Sequence, residues 1–177
     1  MFKKLLIHKN YINKRRLIRD MKALLIFYSR TGTTKKVAQA ISHLLKCDVE
    51  EVIDAKNRAG VIGYLKGGRD AMRRKPTKIS KALKDPATYD IVIIGTPVWA
   101  FNVTPAIRTY LFQNSEEFKK VAFFCTMGGS GSKKTFKEMA KLCEKRPIAI
   151  LELKTKDLSS ADIGQKIKEF VNNIKNN

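Results

Sequence analysis

Three short segments rich in small and hydroxyl-bearing residues contain the side chains most suited to chemistry. The first precedes an apolar run of helical spacing and comprises Ser29, Arg30, Thr31, Gly32, Thr33 and Thr34. Hydroxyl groups, a glycine that permits a tight turn and the free N–H groups of a helix N-terminus together make a cradle of phosphate size. The segment therefore predicts a site for a phosphate monoester dianion, although serine and threonine are also ordinary helix caps.

Two later segments would complete a site for a flat ligand that carries a phosphate. The second contains the only tryptophan and comprises Thr96, Pro97, Val98, Trp99, Ala100, Phe101 and Asn102. The third is rich in glycine and contains Thr126, Met127, Gly128 and Gly129, followed by Ser130 and Gly131. Trp99 offers a stacking face, and the glycines would let backbone amides approach the ligand edge. A buried tryptophan and a flexible connector are the alternative interpretations.

Strands that alternate with helices must position these segments. Hydrophobic patterning predicts strands at 22–28, 48–53, 90–95, 121–125 and 148–153, and helices at 34–46, 60–74, 105–112, 132–144 and 159–174. Thr104 is the predicted N-cap of the third helix, which begins at Pro105. Such alternation implies a parallel sheet, whose ligands bind at the carboxyl ends of the strands. Because the three segments follow strands one, three and four, we expect them to meet there.

The order and spacing of these motifs resemble the flavodoxin family. The resemblance rests on the run from Tyr28 to Thr34, then Gly-Thr-Pro-Val-Trp and Cys-Thr-Met-Gly-Gly-Ser-Gly, and it covers about residues 21 to 175. It implies a flavodoxin-like, doubly wound α/β fold, with a five-stranded parallel sheet of order 2-1-3-4-5 in three α/β/α layers. It also implies FMN, bound non-covalently, and an electron-transfer protein that cycles this flavin between redox states with a redox partner protein.

The same resemblance assigns roles to the three segments. The residues implied to hold the FMN phosphate are Ser29, Thr31, Gly32, Thr33 and Thr34. Residues 96–102 and 126–129 are implied to flank the isoalloxazine ring, with Trp99 stacked upon it. No side chain is expected to act as catalytic acid, base or metal ligand, because the flavin itself would carry the chemistry.

Two departures from the family pattern keep a second function open. Classical flavodoxins are strongly acidic, whereas this chain has a formal net charge of +20. Cations near the flavin would stabilise its anionic reduced form and raise its potential. The third segment also offers no aromatic side chain to cover the second flavin face. An FMN-dependent NAD(P)H or quinone reductase is therefore the alternative, with a nucleotide phosphate held by Arg69, Arg73 and Arg74.

Other functional classes lack the residues that they need. A P-loop requires a Gly-Lys dipeptide, which the chain does not contain. Cys125 lacks the arginine six positions later that a cysteine phosphatase requires, because Gly131 stands there. A basic nucleic-acid-binding module is a distant alternative, but no reader motif accompanies the charge, so no specific nucleic acid is expected.

The length of 177 residues fits one domain, predicted at 21–177 after a basic extension at 1–20. This extension contains seven lysines and arginines against one acid, and it either lies outside the fold or docks on an acidic surface. No apolar run is long enough for a transmembrane segment, and the three cysteines fit neither a disulfide framework nor a zinc site. We therefore expect a cytoplasmic protein, either a monomer or a homodimer.

Overall fold

A computed structural model of the protein describes residues 21–160 and 162–177. Its centre is a five-stranded sheet in the order β2-β1-β3-β4-β5, and each neighbouring pair of strands is parallel. The strands are β1 (Ala23–Phe27), β2 (Asp48–Glu51), β3 (Ile91–Pro97), β4 (Val121–Met127) and β5 (Ile150–Lys154). The predicted strand order is confirmed.

Five α-helices of the described residues cover the two faces of the sheet. They are α1 (Thr33–Leu45), α2 (Gly60–Met72), α3 (Pro105–Asn114), α4 (Ser132–Cys143) and α5 (Asp162–Lys175). Successive side chains of a strand point to opposite faces, so β3 supplies Val92 and Ile94 to one core and Ile91 and Ile93 to the other. The first core lies under α2, α3 and α4, and the second lies under α1 and α5. The three-layer α/β/α architecture is also confirmed.

The central strands extend further toward the carboxyl edge than their hydrophobic pattern indicates. Thr96 and Pro97 end β3, and Thr126 and Met127 end β4, although all four residues were predicted in loops. The ladder continues because the Val98 N–H donates to the Thr126 carbonyl at 2.8 Å. Polar residues therefore follow the apolar run without ending the strand pairing.

The predicted basic extension at 1–20 lies outside the described residues. Within the described ranges, no helix has both the length and the apolar character needed to cross a bilayer.

Candidate functional site

The first predicted segment forms a tight turn between β1 and α1. Gly32 is the N-cap of α1 and lies in the left-handed region, at φ 84° and ψ −11°. A side chain at such a φ strains the backbone, so glycine suits this position. Among the described residues, no side-chain capping hydrogen bond is made at the N-terminus of α1, and the first turn of this helix contains no acidic residue. The N–H groups of this turn, with the positive end of the helix dipole, are therefore available to an anion.

The hydroxyl groups of this turn divide into two sets. The Ser29 Oγ is buried and has no hydrogen-bond partner among the described residues. The Thr31 and Thr33 hydroxyls lie 3.3 Å apart on the exposed side of the turn. Thr34 instead points inward, where its hydroxyl lies 2.8 Å from that of Thr126. A buried, unpaired hydroxyl beside a free helix N-terminus fits a phosphate ester, whereas Thr34 can offer only its backbone N–H.

A cleft lined by charges of both signs adjoins the same turn. It is open and has a volume of about 290 Å³, and its charged lining residues are Arg30, Lys56 and Arg58 with Glu51 and Asp54. The Arg30 guanidinium lies 5.0 Å from the centroid of the Tyr64 ring in α2, a cation–π contact. Arg30 therefore connects the turn to α2.

The second predicted segment forms a tight hairpin after β3. Trp99 and Asn102 exchange backbone hydrogen bonds of 3.0 and 2.9 Å. The two residues between them have positive φ, 47° at Ala100 and 60° at Phe101, as in a type I′ turn. The Phe101 side chain is 55% exposed. Two non-glycine residues in this conformation store backbone strain, which natural proteins concentrate at functional sites.

The structure places Trp99 differently from the sequence-based expectation. Its side chain is only 7% exposed. The ring packs edge-on against Tyr28, at 5.6 Å between centroids, and a Cβ at Gly67 of α2 would lie 2.5 Å from its Cζ3. Trp99 therefore fills the space under α2, and most of its surface is already covered by protein. Phe101 is the exposed aromatic residue of the hairpin.

Thr96 and Asn102, two residues of the second segment, hold the hairpin in place through hydrogen bonds. The Thr96 hydroxyl lies 3.1 Å from the Thr104 hydroxyl and accepts the Thr104 N–H at 3.3 Å. Thr104 occupies the predicted N-cap position of α3, although its side chain makes no capping hydrogen bond. The Asn102 Oδ1 accepts hydrogen bonds from the Val103 N–H and from Arg108. Thr96 and Asn102 are buried, so they position the loop rather than line its surface.

The third predicted segment follows β4 and touches the hairpin. Thr126 and Met127 are buried, whereas Gly128 and Gly129 are exposed. Gly131 is in the left-handed region at φ 115°, and a Cβ there would lie 2.9 Å from Val98 and 3.0 Å from the Phe101 ring. The structure thus brings all three segments to the carboxyl edge of the sheet.

Buried ion pairs near this edge escaped the sequence analysis. Arg108 donates to Glu138 at 2.9 Å, which joins α3 to α4. Arg58 pairs with Asp54 at 2.9 Å and with Asp70 at 2.8 Å, and the latter hydrogen bond lowers the pKa of Asp70. The only local signal for these ion pairs was the four-residue spacing of Asp54 and Arg58. Sequence alone does not distinguish a buried arginine from an exposed one.

Cys125 lies beside the candidate site but is not suited to nucleophilic chemistry. Burial, with a smaller contribution from the charge of Glu152, raises the pKa of its thiol to about 12. The thiol is therefore protonated at neutral pH, and the thiolate is the reactive form. Among residues 21–160 and 162–177, no group of three or more potential metal ligands comes together.

The backbone strain in the hairpin predicts how a substitution there changes the stability of the protein. Replacing Ala100 by glycine should stabilise the protein by about 0.5–1 kcal/mol, because relief of left-handed strain outweighs the added freedom of the unfolded chain. Urea unfolding measures the change. Ala55, which is exposed and not at positive φ, provides the control, and Ala55→Gly should be neutral or destabilising. Equal destabilisation by both substitutions would show that the hairpin is unstrained.

Comparison with known proteins identifies the same fold. Residues 22–174 match a family described as flavodoxin. A flavoprotein from Lactobacillus acidophilus, solved in complex with FMN, has 22% identity and a TM-score of 0.66, over 85% of this chain and 98% of that one. A candidate flavoprotein from Bacteroides eggerthii has 21% identity and a TM-score of 0.69, with coverages of 86% and 97%.

A more distant structure extends the comparison. The two-electron reduced flavodoxin of Megasphaera elsdenii has 15% identity and a TM-score of 0.55, over 84% of this chain and 97% of that one. No curated protein matches the chain. At these identities, the solved structures establish the fold alone.

Proposed function

The chain belongs to the flavodoxin family, and we propose that it binds one FMN at the carboxyl edge of its sheet and transfers electrons through it. One observation carries this proposal. The N-terminus of α1 has Gly32 at its N-cap and lies at the same edge as the exposed hairpin and glycine loop, and within the part of the chain that the structure describes this N-terminus is uncapped and the neighbouring Ser29 hydroxyl is unpaired. A ligand with a phosphate at one end and a flat ring at the other matches these features.

Each part of the site would hold a different part of the cofactor. The N–H groups of the first turn of α1, with the Ser29, Thr31 and Thr33 hydroxyls, would bind the phosphate. Phe101 would provide the aromatic contact to the ring, and the backbone of Gly128 and Gly129 would approach the ring edge. When bound, FMN supplies the electron transfer, and the protein supplies its position and electrostatic environment.

Exposure of Phe101 leads to a test of this assignment. Phe101→Ala should weaken FMN binding about three- to tenfold, because aromatic pairs contribute about 0.5–1.5 kcal/mol beyond buried area. Binding is measured by titrating FMN into the apoprotein and following visible absorbance and quenching of flavin fluorescence. The unchanged protein should form a one-to-one complex.

Phe112 provides the matched control for this test. It is 80% exposed and lies near the other end of α3, which runs from the carboxyl edge of the sheet toward the amino edge. Phe112→Ala should leave FMN affinity unchanged. Absence of binding by the unchanged protein to FMN would refute the proposed cofactor. Equal affinities in both variants would refute only the role of Phe101.

The exposed glycine loop favours a second candidate function, an FMN-dependent NAD(P)H or quinone reductase. Gly128, Gly129 and Ser130 are exposed and provide no aromatic cover. The arginines considered for a nucleotide phosphate are partly engaged, since Arg74 pairs with Glu138 at 3.4 Å and Arg69 lies 4.0 Å from Asp70. We therefore favour the carrier, which needs a separate redox partner. Anaerobic NADPH should leave its absorbance unchanged, and rapid bleaching would identify a reductase.

A further inference from the structure

Helix α2 has an apolar outer face that no described element covers. Val61, Leu65 and Met72 follow helical spacing along this face, and they are between 62% and 74% exposed. Ile62 and Tyr64 flank them and are 69% and 55% exposed, although Arg30 contacts the Tyr64 ring. Isolated apolar residues at a surface are ordinary, but a contiguous group of this kind marks an interaction site. We define the α2 face by these five residues.

The inner side of the same helix explains why its apolar residues point outward. Its buried positions are Gly63, Gly67, Asp70 and Ala71. The two glycines pack against the Arg58 backbone and the Trp99 ring, where a Cβ would not fit. Small residues and a charged one therefore form the inner contact, and the large apolar side chains of the helix remain in solvent.

The border of the α2 face is cationic. Lys66, Arg69, Arg73 and Lys75 are exposed around it. Asp70 is the only acid between residues 60 and 75, and it is buried against Arg58 at 2.8 Å. The face therefore combines apolar residues with positive charge, and its partner must be both apolar and anionic.

We propose that the α2 face binds the surface of an anionic phospholipid bilayer. Apolar side chains that project from a helix can enter the headgroup and acyl boundary without a matching pocket, while flanking lysines and arginines contact anionic lipids. The net charge of +20 suits an extended anionic surface, and it opposes contact between two copies of the chain. The sequence of residues 1–20 has a similar mixture of basic and apolar residues.

Vesicle co-sedimentation of the full chain tests this proposal. The protein should bind vesicles of equimolar phosphatidylcholine and phosphatidylglycerol, and it should bind pure phosphatidylcholine much more weakly. The variant Val61→Ser/Leu65→Ser should lose at least tenfold in affinity for the anionic vesicles. The matched control, Leu83→Ser/Phe112→Ser, removes two apolar residues that are 92% and 80% exposed elsewhere, and it should bind like the unchanged protein.

Three results would overturn the proposal. Failure to bind anionic vesicles would leave an acidic protein as the partner of the α2 face. Equal binding by the Val61→Ser/Leu65→Ser variant would show that general charge attraction suffices. A dimer in sedimentation velocity that this variant abolishes would assign the face to a second copy of the chain. The assay does not depend on FMN, so it can fail or succeed independently of the proposed cofactor.

Discussion

Thr33→Asp should strengthen the fold of the apoprotein and weaken FMN binding roughly a hundredfold. Thr33 is the first residue of α1, whose opening turn contains no acid. A carboxylate there interacts favourably with the helix dipole, which should raise the free energy of unfolding by about 0.3–1 kcal/mol. The same carboxylate would repel a phosphate dianion by about 3 kcal/mol at intermediate dielectric, or roughly a hundredfold in Kd. Opposite effects on stability and binding distinguish a phosphate site from an ordinary capped turn.

Two comparisons make this result specific. Thr33→Asn keeps the shape of aspartate without its charge, so its effect on FMN affinity should be much smaller. Riboflavin lacks the phosphate, and its affinity should be nearly the same in the aspartate variant and the unchanged protein. Calorimetric titration and thermal unfolding measure the two quantities. If the Thr33→Asp variant kept full FMN affinity, the FMN phosphate would not bind at this end of α1.

The turn that we propose to hold the phosphate could be recognised in the sequence because its determinants are local. Gly32 and the neighbouring hydroxyls stand within a few residues of the helix that they precede, and their types alone favour a turn with free N–H groups. The strand order was implied by the resemblance to the flavodoxin family, whereas the parallel strands themselves were predictable for a related reason. Continuous apolar runs such as that of β3 are typical of strands buried on both faces.

The features that sequence analysis missed depend on contacts between distant residues. The Thr34 side chain points into the protein and not toward the exposed side of the turn, because its hydroxyl forms a hydrogen bond with that of Thr126, at the end of β4. The orientation of Asn102 depends on Arg108, and the burial of Arg108 depends on Glu138 in another helix. No local pattern distinguishes these side chains from polar residues in a loop or on a surface.

Trp99 is the clearest case of this kind, because its burial depends on Gly67, a glycine in the helix that precedes β3. Gly67 lets α2 approach the tryptophan ring, and this contact removes the stacking face that the sequence suggested. The same contact explains why the candidate aromatic partner of FMN is Phe101. It also connects the hairpin of the site to the helix that carries the α2 face.

Gly67→Ala should therefore destabilise the protein by about 2 kcal/mol, because its methyl group would overlap a rigid indole in a packed core. Alanine is the better helix former by about 1 kcal/mol, so the packing cost must exceed that gain. Gly68→Ala is the matched control. Apart from the adjoining residues and backbone of α2 itself, no atom of the described residues lies within 4 Å of a Cβ at Gly68, and this substitution should stabilise the protein by about 0.5–1 kcal/mol.

A double-mutant cycle with Trp99→Phe assigns the cost to this contact. The atoms that the new methyl group would strike belong to the six-membered ring of the indole, and phenylalanine fills less of that space. The penalty of Gly67→Ala should fall by at least about 1 kcal/mol in the phenylalanine background. Urea unfolding followed by far-UV circular dichroism gives all four stabilities without relying on tryptophan fluorescence. If Gly67→Ala and Gly68→Ala stabilise the protein equally, helix α2 does not pack closely against Trp99. The indole would then be free to stack on a ligand, as the sequence alone suggested.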